Sequence, residues 1–341
     1  MDTMRAVVLE KPGQLQTIAV ASPEKLKPGE ALVRVRRAGI CGTDLHAFEG
    51  IQPFFNYPRI LGHELGVEVV EVGENNLGLA AGDRCALEPY FNCGHCIACR
   101  RGKSNCCVNL QVFGVHIDGG MREQVAVPVS KLHRSEELSV DQLALVEPLS
   151  IGAHAVRRGS PEYGETILVI GVGPIGLSVV QFVRQLEVEV VVMDVSERRL
   201  DFCWNALQIE HRIDAKSDPL PQLQKLLGGD LPTMVFDCTG DRQSMQNAFR
   251  YVGHGGKLIF VGLFLGDVTF NDPDFHRRES SLLSSRNATG EDFQRVMRGM
   301  EAGKIDVKRW ITHRVCSANL VDVFPEWLKA RSNVLKAVVE W

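Results

Sequence analysis

The chain has no apolar run near the roughly 20 residues that a helix needs to cross a bilayer, so no membrane partner is expected. It also lacks a basic stripe or arm: 38 Lys and Arg stand against 42 Asp and Glu, a net charge of −4. That balance gives no support to nucleic acid or an acidic membrane surface as a partner. No internal repeat and no low-complexity segment is present, which argues against solenoids and disordered arms. The first residues alternate like a strand instead of showing a basic stretch before an apolar one, so no secretory leader is expected and the expected location is the cytoplasm. What remains is ordinary globular composition over 341 residues, enough for two domains with a core in each.

Ten cysteines are present, and five of them fall between Cys93 and Cys107. In a reducing compartment such a cluster reads as metal ligation rather than disulfides. The spacing Cys93-x2-Cys96-x2-Cys99, with Cys106 or Cys107 as the fourth thiolate, suits a closed tetrahedral zinc site, which is structural rather than catalytic. A ferredoxin-type cluster has a shorter last gap followed by Pro, and the acidic balance argues against a nucleic-acid zinc ribbon. A second constellation joins Cys41-Gly42-Thr43-Asp44-Leu45-His46 to Gly62-His63-Glu64. A thiolate, an imidazole and carboxylates can hold a zinc that stays open to substrate, with a hydroxyl and a second imidazole as a proton path.

Strand-like runs at Met4–Leu9, Ala31–Ala38 and Val67–Val72, punctuated by Gly and Pro, predict a barrel-like all-β unit, with the 41–64 cluster on its connections. The aromatic group Phe54, Phe55 and Tyr57 is expected to pack. From Glu147-Pro148 the pattern changes to helix and then to alternating elements. Strands are predicted at Thr166–Ile170, Val188–Met193, Met234–Phe236, Leu258–Val261 and Leu282–Ser285. Helices are predicted at Pro174–Glu187 and from a Ser196 cap to Leu207. Repeated βαβ units imply a parallel sheet. Gly266–Arg278 reads as a polar connection, Thr289–Asp292 as a capping box, and Leu335–Trp341 as a terminal strand.

Gly171-Val172-Gly173-Pro174-Ile175-Gly176 follows a strand and opens a helix, as a dinucleotide fingerprint requires. Asp194 ends the next strand, about 20 residues on, where an acid binds the ribose 2′-hydroxyl. A carboxylate there favours NAD over NADP, although Arg198 and Arg199 partly offset its repulsion of a 2′-phosphate.

Taken in order, CGTD with His46, GHE, the cysteine loop, Glu147-Pro148 and GVGPIG resemble the zinc-dependent medium-chain alcohol dehydrogenase family over essentially the whole chain. Glu147 in place of a cysteine, together with Glu64, is similar to the polyol and threonine dehydrogenase branch. Gln52–Arg59, Asn105-Cys106-Cys107, Val115–Gly120 and Ser285–Thr289 resemble the L-galactonate 5-dehydrogenase group and the related starvation-sensing dehydrogenases, enzymes of sugar-acid catabolism.

The resemblance implies an α/β chain with a GroES-like β-barrel catalytic domain over 1–149, to which 289–341 return. A Rossmann domain, doubly wound around a parallel sheet, would cover 150–288 and bind NAD. It implies Cys107 as the fourth structural ligand, and catalytic zinc on Cys41 and His63 with either Glu64 or Glu147. Asp44 would orient His63, while Thr43 and His46 would relay the proton. Ile175, Asp194, Arg199, Val261, Gly262 and Leu263 would hold NAD, with Ser285 and Arg286 near the nicotinamide. The implied reaction is oxidation of a secondary alcohol on a polyol or sugar acid, or of an amino alcohol such as threonine. A low-turnover NAD(H)-binding sensor is the alternative from another class. A sugar-acid carboxylate would need a cation, for which Arg59, Arg122, Arg286 and His116 are candidates. Homo-oligomers, dimers or tetramers, are implied through the edge strand near Leu282.

Overall fold

The structure is a computed structural model that describes residues 2–53, 55–329 and 334–341. It forms two compact units, Met1–Glu147 with Ala288–Trp341, and Pro148–Asn287. Among the described residues no helix is long and apolar enough to cross a membrane.

The first unit is built on strand pairing. Thr3–Lys11 pairs antiparallel with Gln14–Ala21 on one side and with Arg59–Ile60 on the other. A seven-stranded sheet runs Leu132–Arg134, Arg84–Leu87, Glu64–Val72, Glu30–Ile40, Lys336–Glu340 and Ile311–Cys316, and Gln124–Pro128 also pairs with Glu30–Ile40. Alternation sets which side faces in. Ala31, Val33 and Val35 are fully buried, and Val33 and Val35 lie opposite Val69 and Val67. The same core takes in Leu320, Phe324, Trp327, Ala337 and Val339, so the C-terminal segment is held by apolar burial.

Two expectations are corrected here. The 41–64 cluster does not lie wholly on connections: Gly42–Glu49 is a helix and Glu64 begins a strand. The helix is short, and its stripe of Asp44, Ala47 and Phe48 is too small to show as periodicity. The closing residues also hold more order than a mixed reading suggests, with the strand Ile311–Cys316 and the helix Leu320–Lys329. Phe55 and Tyr57 pack edge to face at 4.9 Å against the core, as expected, while Phe54 lies outside the described residues.

In the second unit six parallel strands stand in the order His211–Asp214, Glu189–Asp194, Thr166–Ile170, Met234–Asp237, Lys257–Phe260 and Ser281–Ser284. The chain starts mid-sheet at Thr166–Ile170, grows one way and then the other, which makes a switch point beside that strand. The predicted strands are present, shifted by a residue at some ends. The helix from Pro174 stops at Val183 rather than at Glu187. Gly266–Arg278 is not wholly a connection: Asn271 caps a helix, Asp272–Arg277, by accepting from Asp274 N at 2.9 Å.

A buried polar cluster pins the returning helix Gly290–Glu301 to the first unit's strands. Lys131 and His133 both reach the carboxylate of Glu88, His133 at 3.1 Å, and Gln294 holds the other ring nitrogen of His133 at 3.0 Å. Burial pushes the Glu88 carboxyl up, but the hydrogen bond from His133 and the Lys131 charge outweigh it and leave the pKa below the ordinary 4.5. A lowered carboxyl pKa adds stability above that ordinary value, and the stability is lost as pH falls through the native value. Glu88→Gln should therefore cost about 2 kcal/mol at neutral pH. Thermal unfolding of both proteins across a pH series should show the difference shrinking below pH 4.5.

Candidate metal centres and nucleotide site

The thiols of Cys93, Cys96, Cys99 and Cys107 lie within 4.8 Å of one another, on a loop that includes the short helix Ile97–Arg100. Cys93 N donates to Cys107 Sγ at 3.3 Å and Cys99 N to Cys96 Sγ at 3.5 Å. Backbone N–H groups of Cys99 and Val108 draw the Cys96 thiol down to about 6. Cys106 is exposed and stands outside this group. Four converging thiols, of which Cys93 and Cys96 are drawn toward thiolate by backbone donors, fit a closed zinc site.

The second centre begins with a helix cap. Cys41 is the N-cap of Gly42–Glu49, and Asp44 folds back so that its Oδ2 accepts from Cys41 N at 2.8 Å. The cap fixes the Cys41 side chain and buries Asp44. Thr43 and His46, three residues apart, share a neighbouring face of the same helix. His63 is buried and turns Nδ1 toward Asp44 Oδ1 at 3.8 Å. Neither of these two atoms has a hydrogen-bond partner among the described residues. Burial works against a charged His63, but the charges of Asp44 and Cys41 outweigh it and raise its pKa.

The donors of Cys41, His63 and Glu64 lie within 4.8 Å of one another. A thiolate, an imidazole and a carboxylate, with a second carboxylate facing the far nitrogen of the imidazole, fit the donor set of an open zinc site. Glu147 is not in this compact triad. Its carboxylate accepts from the Tyr90 hydroxyl, and burial above all lifts its pKa to about 7.

The strands explain where Glu64 sits. Glu64 pairs with Gly39, and a Cβ on Gly39 would stand 2.1 Å from Glu64 Oε2, so only glycine leaves room for the carboxylate. On the far side of that strand Ile40 pairs with Ala337, which brings Lys336 alongside. Lys336 and Tyr90 are the site residues that motif reading missed. The one available signal was a lysine at the head of the apolar run Ala337-Val338-Val339.

In the second unit the three fingerprint glycines have distinct jobs. Gly171 has φ +81°, and a Cβ on Gly176 would sit 1.9 Å from Gly171 O, so these two close the turn and seat the helix. A Cβ on Gly173 would meet nothing nearer than the Arg199 guanidinium at 3.7 Å, which leaves open space for a phosphate at the helix start. Asp194 accepts from Val172 N and Ser196 N, both at 2.8 Å, and Arg199 lies 3.7 Å from it. Ile175 is in the helix's first turn. Val261 and Gly262 both donate to Asp237 O just after the strand Lys257–Phe260, and Leu263 is exposed. Ser285 Oγ is buried with no partner among the described residues, and Arg286 is exposed. This set fits a dinucleotide.

Of the cations proposed for a carboxylate, Arg59 is committed to Asp118 at 3.1 Å. Arg122 donates weakly to Asp118 O at 3.3 Å, its Nε has no partner among the described residues, and burial lowers its pKa. His116 Nδ1 accepts from Val112 N at 2.9 Å.

Residues 27–137 match the alcohol dehydrogenase GroES-like domain, and residues 174–302 match the zinc-binding dehydrogenase domain. The chain is 40% identical to L-galactonate-5-dehydrogenase of Escherichia coli K12 over 99% of each chain. It is 32% identical to the starvation-sensing protein RspB of the same strain over 91% of each. The crystal structure of an RspB alcohol dehydrogenase from Escherichia coli CFT073, complexed with NADH, superposes with a TM-score of 0.92 over all of both chains at 29% identity.

With two donor sets present, metal analysis of the purified protein should find two zinc ions per chain. Cys41→Ser should remove one with little change in thermal stability. Cys96→Ser should remove the other and lower the unfolding temperature, because the loop that it closes has little apolar core of its own.

Proposed function

The chain belongs to the zinc-binding alcohol dehydrogenase family, and we propose that it oxidises a secondary alcohol of a sugar acid, L-galactonate or a near relative, with NAD. The compact Cys41, His63 and Glu64 donor set, on a chain 40% identical over its full length to an L-galactonate dehydrogenase, carries this reading. The first unit is the catalytic domain and the second the nucleotide domain. The expected location is the cytoplasm.

When bound, zinc supplies a Lewis acid for the substrate hydroxyl, and NAD supplies the hydride acceptor. Cys41, His63 and Glu64 hold the metal, and Cys93, Cys96, Cys99 and Cys107 hold the structural one. Asp44 fixes the ring of His63 through Nδ1, which leaves Nε2 for the metal. Thr43 Oγ1 takes the proton of the substrate hydroxyl, and His46, one turn further along the helix, passes it to solvent. Gly171, Gly173 and Gly176 admit the pyrophosphate, while Asp194 accepts from the ribose hydroxyls and disfavours a 2′-phosphate. Ile175, Arg199, Val261, Gly262 and Leu263 line the dinucleotide, with Ser285 and Arg286 toward the nicotinamide. Arg122 is the best-placed cation for a substrate carboxylate, since Arg59 is already paired.

NADH formation should be measured with L-galactonate, other aldonates, neutral polyols and L-threonine. A rate on L-galactonate, absent with NADP and reduced by about 100-fold or more in Thr43→Ala, is the expected result. Turnover confined to neutral polyols or threonine would overturn the sugar-acid reading, and NADH binding with no turnover at all would favour a sensor. The strand Ser281–Ser284 is at the sheet edge with Leu282 exposed, which supports a homo-oligomer joined there. Light scattering should give a dimer or tetramer, and Leu282→Lys should shift it toward monomer.

A further inference from the structure

The ammonium of Lys336 is buried, and each of its three protons has an acceptor: Glu64 Oε1 at 2.7 Å, Glu64 Oε2 at 2.7 Å and Ile40 O at 3.1 Å. An ammonium has three donors and no acceptor, so its position is fully determined. Glu64 is itself completely buried, and the donor motif Cys41, His63, Glu64 leaves out this fourth, positively charged member.

We propose that Lys336 is a positioning residue of the catalytic metal site: by holding both oxygens of Glu64 it restricts that carboxylate to one-oxygen donation and so keeps a coordination position open for substrate. The inference rests on zinc being held by Cys41, His63 and Glu64. Three features of the fold support it. The registers Gly39 with Glu64 and Ile40 with Ala337 place the two side chains across a single intervening strand. Gly39 clears the space that the paired carboxylate occupies. The charges also differ with and without the lysine. A dication with one thiolate and one carboxylate is neutral, and a fixed ammonium leaves the group one unit positive, which favours a substrate oxygen that is losing its proton. Without the ammonium, Glu64 is free to turn both oxygens to the metal, which would add a fifth donor and crowd the position that substrate needs.

The test uses cobalt(II) in place of zinc in the full chain, with the Cys41→Ser protein as the background spectrum of the four-cysteine site. Lys336→Met should weaken the visible d–d absorption, as expected for a move from four- to five-coordination. It should also slow release of the catalytic metal to a chelator by about tenfold, because the like charge beside the dication is gone. Lys336→Arg should keep the original spectrum and release rate. If Lys336→Met does not fold, Lys336→Gln, which retains a donor to the buried carboxylate, should show the same changes in smaller degree. A spectrum and release rate unchanged in Lys336→Met, or in Lys336→Gln where that protein is used, would overturn the proposal while leaving the zinc assignment intact. Failure of Cys41→Ser to remove one of the two metals would overturn the zinc assignment, and this inference with it.

Discussion

A carboxylate sealed from water must be compensated where it stands, and in this chain that requirement falls on Glu64. Removing one partner of a buried ion pair leaves an unpaired charge and typically costs about 3–5 kcal/mol. Lys336, 272 residues from Glu64 in the sequence, is therefore tied to the Gly62-His63-Glu64 segment by more than apolar packing. The strand that carries it joins the first unit's sheet and sets the position of one proposed metal donor in the same step. That gives a physical reason for the C-terminal segment to belong to the first unit rather than to form a separate end.

The second proposed donor, Cys41, is fixed by a different kind of interaction. Its neighbours satisfy the start of a helix: Asp44 accepts from the Cys41 backbone and presents its other oxygen to His63. One carboxylate thus caps the start of a helix and faces an imidazole. Close packing does comparable work nearby. A Cβ on Gly66 would lie 2.2 Å from Val140 O, so that glycine lets the helix Val140–Ala144 press on the sheet just before the chain reaches Glu147.

The nucleotide unit rests on backbone economy rather than on buried charge. Its first strand lies in mid-sheet, so the turn after it opens at the place where strand order reverses. Asp194 braces that turn by accepting from Val172 N. The acid proposed to discriminate between dinucleotides is also a structural anchor, which limits what a change at this position can do without loosening the loop.

The sequence by itself determined those features that short-range chemistry encodes. The four-cysteine spacing, the glycine fingerprint with its acid and the alternating strands are local patterns, and the chain holds them where the sequence puts them, whereas the short helix that Cys41 opens left no such mark. The helix Asp272–Arg277 and the strand Ile311–Cys316 were hard to read because they are short and expose much of their surface, so no strong periodicity marks them. The pairing of Lys336 with Glu64, the engagement of Glu147 by Tyr90 and of Arg59 by Asp118 were decided only by tertiary structure. Strand register and burial bring those residues together from distant parts of the chain, and a buried charge selects its partner by position in space, which no local spacing records.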